Sequence, residues 1–452
     1  MKGEIAMKEV KLYDSKTKKL VTLTPAEEGK VSVYFCGPTV YNHAHVGNVR
    51  PMIVFDNLRR MLKAIGYEVL FISNYTDVDD KIINAAIKEQ CSESDITTKY
   101  IAAYEALRDA INAPLPDVTP RVTKYMPKII DFINTLVEKG YAYAIDGDVY
   151  FRVTKVPVYG EISNRNIEDL LVGARIEENE KKENPLDFCL WKETKVGINW
   201  DSPWSKGRPG WHTECVAMIN DITSNTHVDI HGGGMDLKFP HHENEEAQSY
   251  AYCGHALASI WMHNGMLNID NEKMSKSLGN VILGKDAIEK YGGQVLRWVM
   301  NATHYRAPIN FTDEIFATAN SEVNKIYTSL KQASLKLDLN DAFDSSMSEE
   351  YIDRYLTHLA NDLNVSDAMT VLYDAIKELN MAIRVRDISF GKVSLMFNTI
   401  NYMLDLIGMK KYDKKLTIEE KDLYNQWVVA KSNKDFELAD QIRNSLMEKG
   451  IL

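Results

Sequence analysis

A stretch near the start of the chain has the residue types needed to hold phosphate groups. It follows an apolar, strand-like run at 31–36 and opens a helix-like run at 46–62. A tight turn into a helix predicts a phosphate site, because free backbone N–H groups and the positive end of the helix dipole face the ligand. The candidate residues of this first signature are Thr39, His45, Gly47 and Asn48.

A second stretch, Lys273-Met-Ser-Lys-Ser277, carries two lysines three residues apart. Lysine is a compact charge on a long stem, so a mobile loop with Lys273 and Lys276 can close over phosphates from the other side. Each stretch alone is weak evidence, because a solvated loop or a capping histidine gives the same pattern. Together, in this order, they predict a nucleotide site.

The elements that position these residues alternate between strands and helices. Parallel strands joined by a crossover helix form a βαβ unit, and ligands bind beyond the carboxyl ends of such strands. The pattern predicts an α/β fold, a split Rossmann-like doubly wound parallel sheet interrupted by a connective insertion. The predicted order is strand 31–35, helix 49–62, strand 68–73, helices 79–113 and 124–140, strand 147–153, strand 227–231, a glycine turn at 232–234, helix 241–252 and strand 261–269.

From about residue 315 the chain is predicted to be helical, an all-α bundle that includes a capping box at Thr417-x-x-Glu420. A chain of 452 residues is too long for one core. The predicted regions are 1–117 and 201–270 for the two halves of the sheet domain, 118–200 for the insertion, 271–330 for the region of the lysine loop, and 331–452 for a separate helical region.

Bulk composition excludes several classes of protein. Apolar residues make up 45% and charged residues 26%, as in a globular protein, and no apolar run is long enough to span a bilayer. The five cysteines form no C-x-x-C pair, so a reducing, cytoplasmic location is expected. Because no apolar run spans a bilayer, no membrane partner is expected. A net charge of −11 counts against nucleic-acid binding by the chain as a whole but leaves room for a local basic face. The short basic clusters, Lys410–Lys415 among them, are interpreted as solvated.

Three further segments complete a set of motifs. They are Tyr34-Phe-Cys36-Gly-Pro-Thr-Val-Tyr41, Gly210-Trp-His-Thr-Glu-Cys215 and His231-Gly-Gly-Gly-Met-Asp236-Leu-Lys-Phe-Pro-His241-His-Glu-Asn-Glu245. With the first signature and the lysine loop, they resemble the cysteinyl-tRNA synthetase family of class I aminoacyl-tRNA synthetases. The resemblance covers about residues 8–450 and keeps the order of the motifs.

The resemblance implies one Zn²⁺ ion held by Cys36, Cys215, His241 and Glu245. The residues themselves support this in part, because Cys, His and carboxylate all bind zinc, and positions 241 and 245 share a helix face. From the residues alone, His242 and Glu243 remain possible ligands. A metalloprotease is excluded because the order His-His-Glu-Asn-Glu is not His-Glu-x-x-His. The other cysteines, interpreted as small apolar residues, are Cys91, Cys189 and Cys253.

The resemblance also implies a two-step reaction. L-cysteine and ATP, accompanied by Mg²⁺, give cysteinyl-adenylate and pyrophosphate, and the 3′-terminal ribose of the tRNA for cysteine then accepts the aminoacyl group. A zinc-bound substrate thiolate would separate cysteine from serine, which packing alone separates poorly. His45, Lys273 and Lys276 would face the phosphates, with Thr39 orienting the same region. Asp236 would accept from the ribose, and Trp211 either packs beside the substrate or belongs to the core.

Two departures from the family pattern bear on these expectations. The first signature has Asn48 where the family usually has His, so a role that needs a cation there is in doubt. The chain stops at Leu452, where relatives commonly continue with a basic tail, so weak anticodon discrimination or a trimmed chain is expected. The alternatives are an ATP-dependent cysteine ligase acting on an amino sugar and a catalytically silent nucleotide-fold binding protein. A monomer is expected.

Overall fold

Fourteen strands form four sheets in the part of the chain that the structure describes. The computed structural model describes residues 8–166, 181–223, 227–274 and 279–452. The strands are β1 Lys11–Asp14, β2 Lys19–Thr22, β3 Lys30–Phe35, β4 Glu68–Ile72, β5 Ala142–Ile145, β6 Asp148–Phe151, β7 Phe188–Glu193, β8 Trp200–Asp201, β9 Lys206–Pro209, β10 Val228–Gly234, β11 Ala258–Asn264, β12 Leu267–Ile269, β13 Glu272–Lys273 and β14 Ile309–Phe311.

The helices of the described residues fall into two groups, one beside the sheets and one that follows them. They are α1 Val46–Ala64, α2 Asp80–Glu89, α3 Glu93–Ala110, α4 Val122–Glu138, α5 Glu214–Ile222, α6 Glu243–Cys253, α7 Gly284–Tyr291, α8 Gly293–Ala302, α9 Asp313–Leu339, α10 Glu349–Ala360, α11 Val365–Ala382, α12 Phe390–Leu406, α13 Ile418–Ser432 and α14 Phe436–Glu448. No helix among the described residues is both long and apolar enough to cross a bilayer.

The central sheet is parallel throughout, with the order β11-β10-β3-β4. Strand β3 leads through α1 to β4 on one side, and β10 leads through α6 to β11 on the other. The strand order therefore reverses between β3 and β10, and such a switch point leaves a crevice for ligands at the strand carboxyl ends. The predicted doubly wound sheet, split by an insertion, is confirmed.

The insertion forms its own antiparallel sheet, with the order β5-β6-β7-β9-β8. Its apolar face packs with α4 and α5 and with the central sheet in one continuous core. Burial of large aromatic side chains supplies much of the stabilisation of such a core. Large aromatic members of this core include Phe132, Phe151, Trp191 and Trp261.

Three local predictions are wrong. The strand predicted over 261–269 is two strands, β11 and β12, which belong to different sheets. Gly232 to Gly234 form no turn but complete β10, paired with Met262 to Asn264 of β11. A Cβ on Gly232 would lie 2.1 Å from the Met262 carbonyl oxygen, so glycine lets these strands pass closely. The helix predicted over 79–113 is two helices, because Gln90 ends α2 with a φ of 53° and Ser92 caps α3.

The helical region after residue 312 is confirmed. Thr417 accepts from the Glu420 N–H at 3.2 Å and Glu420 accepts from the Thr417 N–H at 2.9 Å, which is the predicted capping box. Helices α13 and α14 pack around a separate apolar cluster that includes Ile442 and Leu446. The rest of the bundle shares one core with the central sheet and α1.

A buried arginine joins the sheet domain to the helical region. The Arg297 guanidinium pairs with Asp56 of α1 and donates to the Asn57 side chain at 2.8 Å. It also donates to the Ile407 carbonyl at 2.7 Å, at the end of α12. A buried charge of this kind is tolerated because each of the three guanidinium nitrogens donates to an acceptor.

We expect Gly408→Ala to destabilise the fold by about 3–5 kcal/mol, the range for breaking a buried ion pair. Gly408 has a φ of 69°, and its Cβ would lie 1.9 Å from the Arg297 guanidinium carbon. Denaturant unfolding checks this. Gly391→Ala is the matched control, because nothing lies within 4 Å of its Cβ position in α12, and its stability should hold or rise. Equal stabilities of the two variants would contradict the expectation.

Candidate functional site

Four side chains from distant parts of the sequence meet at the switch point of the sheet. The Cys36 Sγ lies 3.9 Å from the Cys215 Sγ and 3.4 Å from the His241 Nε2. The Cys215 Sγ lies 3.8 Å from the same nitrogen. The Glu245 Oε1 lies 2.9 Å from the His241 Nε2 and 3.7 Å from the Cys36 Sγ. These are the four residues predicted to hold a metal.

The fold explains why these residues converge. Cys36 follows β3 directly, and its N–H donates to the Gly232 carbonyl of the neighbouring strand at 3.1 Å. Cys215 lies in the first turn of α5, and Glu245 lies in the first turn of α6. His241 lies in the irregular turn Lys238–His242, which carries the chain from β10 into α6.

The geometry fits a tetrahedral metal site. Zinc bonds of about 2.3 Å to sulfur and about 2.0 Å to nitrogen place tetrahedral ligands about 3.5–3.8 Å apart. The sulfur–sulfur distance of 3.9 Å and the two sulfur–nitrogen distances of 3.4 and 3.8 Å agree with this. One ligand atom from each residue lies within 4.8 Å of all the others. The group could therefore hold a metal ion.

Two more histidines fix the orientation of these ligands. The His231 Nε2 lies 2.8 Å from the Glu245 Oε2, and the His212 Nδ1 lies 3.1 Å from the His241 Nδ1. Such partners set which ligand atom faces a metal. Sequence reasoning did not single them out, although His212 neighbours Trp211 and His231 ends the apolar part of β10.

A second set of ligands overlaps the first. Cys36, Glu245, His231 and His242 also bring one ligand atom each within 4.8 Å of one another. The His242 Nε2 lies 3.4 Å from the Cys36 Sγ, and its Nδ1 lies 2.8 Å from the His263 Nε2. Of the two alternative ligands left open by the sequence, His242 thus stays close to the cluster. The carboxylate of Glu243 is used elsewhere, accepting from the Gly160 and Ser163 N–H groups at 2.8 and 2.6 Å.

The charges of the cluster suit a cation. Burial raises the pKa of the Glu245 carboxyl, but the His241 and His231 imidazoles outweigh burial and hold that pKa well below its usual range. Burial lowers the pKa of His241, but Glu245 and Cys36 outweigh burial and raise it well above its usual range. The negative charge of the buried cluster thus favours protonated imidazoles. A bound metal ion can balance that charge in place of the protons.

Trp211 does not belong to the core. Its side chain is 43% exposed. Its ring stacks on the His241 imidazole, with a centroid distance of 4.8 Å and an interplanar angle of 26°. The alternative of a buried core tryptophan is therefore wrong, and Trp211 covers one side of the cluster.

The first signature begins helix α1, as predicted. His45 is the residue before the helix, and its N–H donates to the Asn48 Oδ1 at 3.2 Å. Asn48 thus contributes an acceptor to the helix start, a role that needs no positive charge. A Cβ on Gly47 would lie 2.8 Å from the His45 Nδ1 and 3.0 Å from the Met274 Cε. Glycine therefore lets both the imidazole and the beginning of the lysine loop lie against the helix.

The far end of the lysine loop is also anchored on the first signature. The Val46 N–H donates to the Ile282 carbonyl at 2.9 Å, and the Gly284 N–H donates to the Ala44 carbonyl at 2.8 Å. The two signatures are thus held together on both sides of the loop. The expectation of free N–H groups is wrong for Val46 and Asn48, because the Asn48 N–H donates to the His45 carbonyl at 2.8 Å.

The remaining predicted residues are Lys273, Lys276, Thr39 and Asp236. Lys273 pairs through its backbone with Asn268 of β12, whereas Lys276 lies outside the described residues. Thr39 forms a parallel bridge with Thr76. Asp236 lies in a short 3₁₀ turn after β10 and is exposed, so a ribose contact stays a prediction.

Comparison with known proteins decides the family. A model described as the class I (C) tRNA synthetase catalytic domain matches residues 22–321. Relatives named cysteine–tRNA ligase are 43% identical over 454 residues in Brevibacillus brevis and 44% identical over 453 residues in Halalkalibacterium halodurans, each match covering 98% of this chain and 97% of the relative. The chain belongs to the cysteine–tRNA ligase family. It is therefore an aminoacyl-tRNA synthetase of class I, as the motifs indicated.

Solved structures give the same fold at low identity. The Mycobacterium tuberculosis methionyl-tRNA synthetase in complex with methionyl-adenylate has a TM-score of 0.61 and 14% identity, covering 84% of this chain and 89% of that one. A ternary complex of LeuRS, tRNA and LeuAMS from Agrobacterium radiobacter has a TM-score of 0.62 and 11% identity, covering 85% of each chain. At these identities the likeness concerns the fold alone.

Proposed function

We propose that this synthetase activates L-cysteine with ATP and transfers it to the 3′-terminal ribose of the tRNA for cysteine, with zinc as the metal of its buried cluster. The observation that carries the proposal is the convergence of Cys36, Cys215, His241 and Glu245 beside the sheet's switch point. Thiolate and imidazole are ligands that zinc prefers, whereas magnesium prefers oxygen alone. A membrane partner is not expected, and a cytoplasmic monomer stays a prediction.

The cluster would select the substrate by its side chain. A bound zinc supplies affinity for thiolate, which forms far more readily than the alkoxide that serine would have to provide. The chain's own residues hold the ligand atoms in place: His231 orients Glu245, His212 orients His241, and Trp211 covers the imidazole. Discrimination at this level needs no separate editing step.

The first signature and the lysine loop would bind ATP with its Mg²⁺. The substrate carboxylate attacks the α-phosphate, its new bond replacing the bond to pyrophosphate, and the pyrophosphate leaves with the electron pair. His45, held against Gly47, would donate to the phosphate oxygens, and Lys273 and Lys276 would offset the charge that grows on the leaving group. Thr39 and Asp236 would orient the nucleotide.

The helical region would hold the tRNA. We assign residues 331–452 to anticodon binding and 271–330 to the lysine loop and contacts with the acceptor stem, with the catalytic halves at 1–117 and 201–270 and the insertion at 118–200. The shared core of α1 and helices α9 to α12 supports a fixed relation between the catalytic domain and this part of the helical region.

The test is attachment of labelled cysteine to bulk tRNA with ATP and Mg²⁺, in the presence of excess serine. We expect cysteine charging that serine does not suppress. Strong suppression by serine would refute selection by the metal cluster. Cysteine-dependent pyrophosphate exchange without charging would refute the tRNA step and favour the amino-sugar ligase.

A further inference from the structure

The segment between α12 and α13 is basic in an acidic chain. Residues 410–415, the basic segment, read Lys-Lys-Tyr-Asp-Lys-Lys, four lysines against one aspartate, while the chain carries a net charge of −11. All four lysines are exposed. The sequence alone favours a solvated run of charge, and the structure gives reason to revise that interpretation.

The backbone of the basic segment is fixed although it forms no helix or strand. Its carbonyl and N–H groups are bound by side chains from three helices, and not by its own turns. The Lys410 N–H donates to Gln294 at 2.7 Å, the Tyr412 N–H donates to Asn401 at 2.7 Å, and Ser334 donates to the Lys414 carbonyl at 3.0 Å. Tyr327 donates to the Lys410 carbonyl. These bonds hold the exposed lysines on a fixed backbone.

The nearby acidic groups leave the segment's charge largely uncompensated. Lys411 pairs with Asp405 at 3.1 Å, and Asp405 also pairs with Arg60 at 3.0 Å. Asp338 and Asp341 are paired with Lys421, at 3.1 and 3.0 Å. Lys415 lies over the Phe343 ring, 5.0 Å from its centroid. Exposed pairs of this kind are weak and can be exchanged for a stronger anion.

We propose that the basic segment binds the sugar–phosphate backbone of the tRNA between its two ends, without reading bases. The inference rests on the proposed function. The basic segment begins just after Gly408, at the buried Arg297 contact that joins the helical region to the catalytic domain. It ends just before the α13–α14 pair. The segment therefore lies, along the chain, between the two regions proposed to hold the ends of the tRNA. Lysines on a fixed backbone suit phosphate contacts, which position a nucleic acid without specifying its sequence.

The experiment replaces three of the lysines with glutamine, in the variant K410Q/K411Q/K415Q of the full chain. Lys414 stays, because its ammonium donates to the Lys449 carbonyl at 3.1 Å. We expect the KM for tRNA to rise about 10-fold. The slope of log KM against the logarithm of the salt concentration should fall by about two, because two to three phosphate contacts are lost. Cysteine-dependent pyrophosphate exchange should stay within about twofold, because no substrate of that step is a polyanion of this size.

The control removes the same charge elsewhere, in K88Q/K124Q/K195Q, from exposed positions on α2, on α4 and between β7 and β8, outside the regions 271–330 and 331–452. Its KM for tRNA should equal that of the wild type. An equal KM in the basic-segment variant, or a loss of pyrophosphate exchange in it, would overturn the inference. A wild-type chain that charges no tRNA would refute the proposed function instead, so the two failures are distinguishable.

Discussion

Replacing Cys215 with serine is expected to abolish the proposed zinc binding and to raise the KM for cysteine about 100-fold, far more than the KM for ATP. Cys215 is buried, with its Sγ 3.9 Å from that of Cys36 and 3.8 Å from the His241 nitrogen. A serine hydroxyl fills the same space but does not ionise near neutral pH, so it is a poor zinc ligand. Losing one of four ligands weakens a site that depends on all of them, and about 3 kcal/mol corresponds to the stated change in KM. Zinc per chain and steady-state kinetics measure the two effects.

Cys253→Ser is the matched control. Cys253 is partly buried and its sulfur faces the Ser249 and His255 carbonyls, at 3.1 and 4.0 Å, outside the cluster. Zinc content and the KM for cysteine should both stay at the wild-type value. A Cys215→Ser protein that melts like the wild type and still carries one zinc per chain would contradict the assignment of Cys215 as a ligand.

The two overlapping ligand sets can be told apart in the same assay. If the metal is held by Cys36, Cys215, His241 and Glu245, His242→Gln should keep its zinc. If the second set is the correct one, His242→Gln should lose zinc and Cys215→Ser should keep it. The first set is favoured because it offers two cysteine sulfurs to zinc, whereas the second set offers one.

The second large effect is expected for His45→Ala, which should slow pyrophosphate exchange about 100- to 1,000-fold, as the loss of a donor to a charged transition state does. The imidazole lies against Gly47 at the start of α1, next to Met274 of the lysine loop. Removing it should lower the turnover number more than it raises the KM for ATP, and it should leave zinc in place. Exchange kinetics and zinc content are both measured.

His43→Ala serves as the control for that variant. The His43 ring packs edge-on against Tyr100, with a centroid distance of 5.3 Å, two residues before His45. Exchange should remain within a few-fold of the wild type. A wild-type rate of pyrophosphate exchange in His45→Ala would mean that His45 only caps the helix. Equal losses in both variants would mean that the substitutions distort the turn.

Local sequence determined much of the fold. The alternation of apolar runs predicted the parallel sheet, its interruption and the helical region, because hydrophobic periodicity reflects which face of an element is buried. The capping box at Thr417 was predicted because both of its partners lie within one turn of chain. The glycines at 232–234 were misread as a turn, because only the proximity of β11 shows that they are needed for close strand packing.

The candidate metal group could be predicted only through the family resemblance. Cys36 and Cys215 are 179 residues apart, and no local pattern connects them. Their proximity depends on β3 and α5 meeting at the switch point, which is a property of the sheet order. The roles of His212 and His231 beside the ligands, and the exposure of Trp211, likewise depend on packing between elements.

By itself, then, the sequence determined the family, the order of the elements and the residue types of the site, since these follow from local periodicity and from motifs. The tertiary structure alone decided which backbone polar groups are already bonded within the protein. It occupied the Val46 and Asn48 N–H groups with the chain's own carbonyls, and it fixed the backbone of residues 410–415 through side chains of distant helices. The reason is physical: hydrogen bonds and metal–ligand geometry act over a few ångströms in space, whatever the separation along the chain.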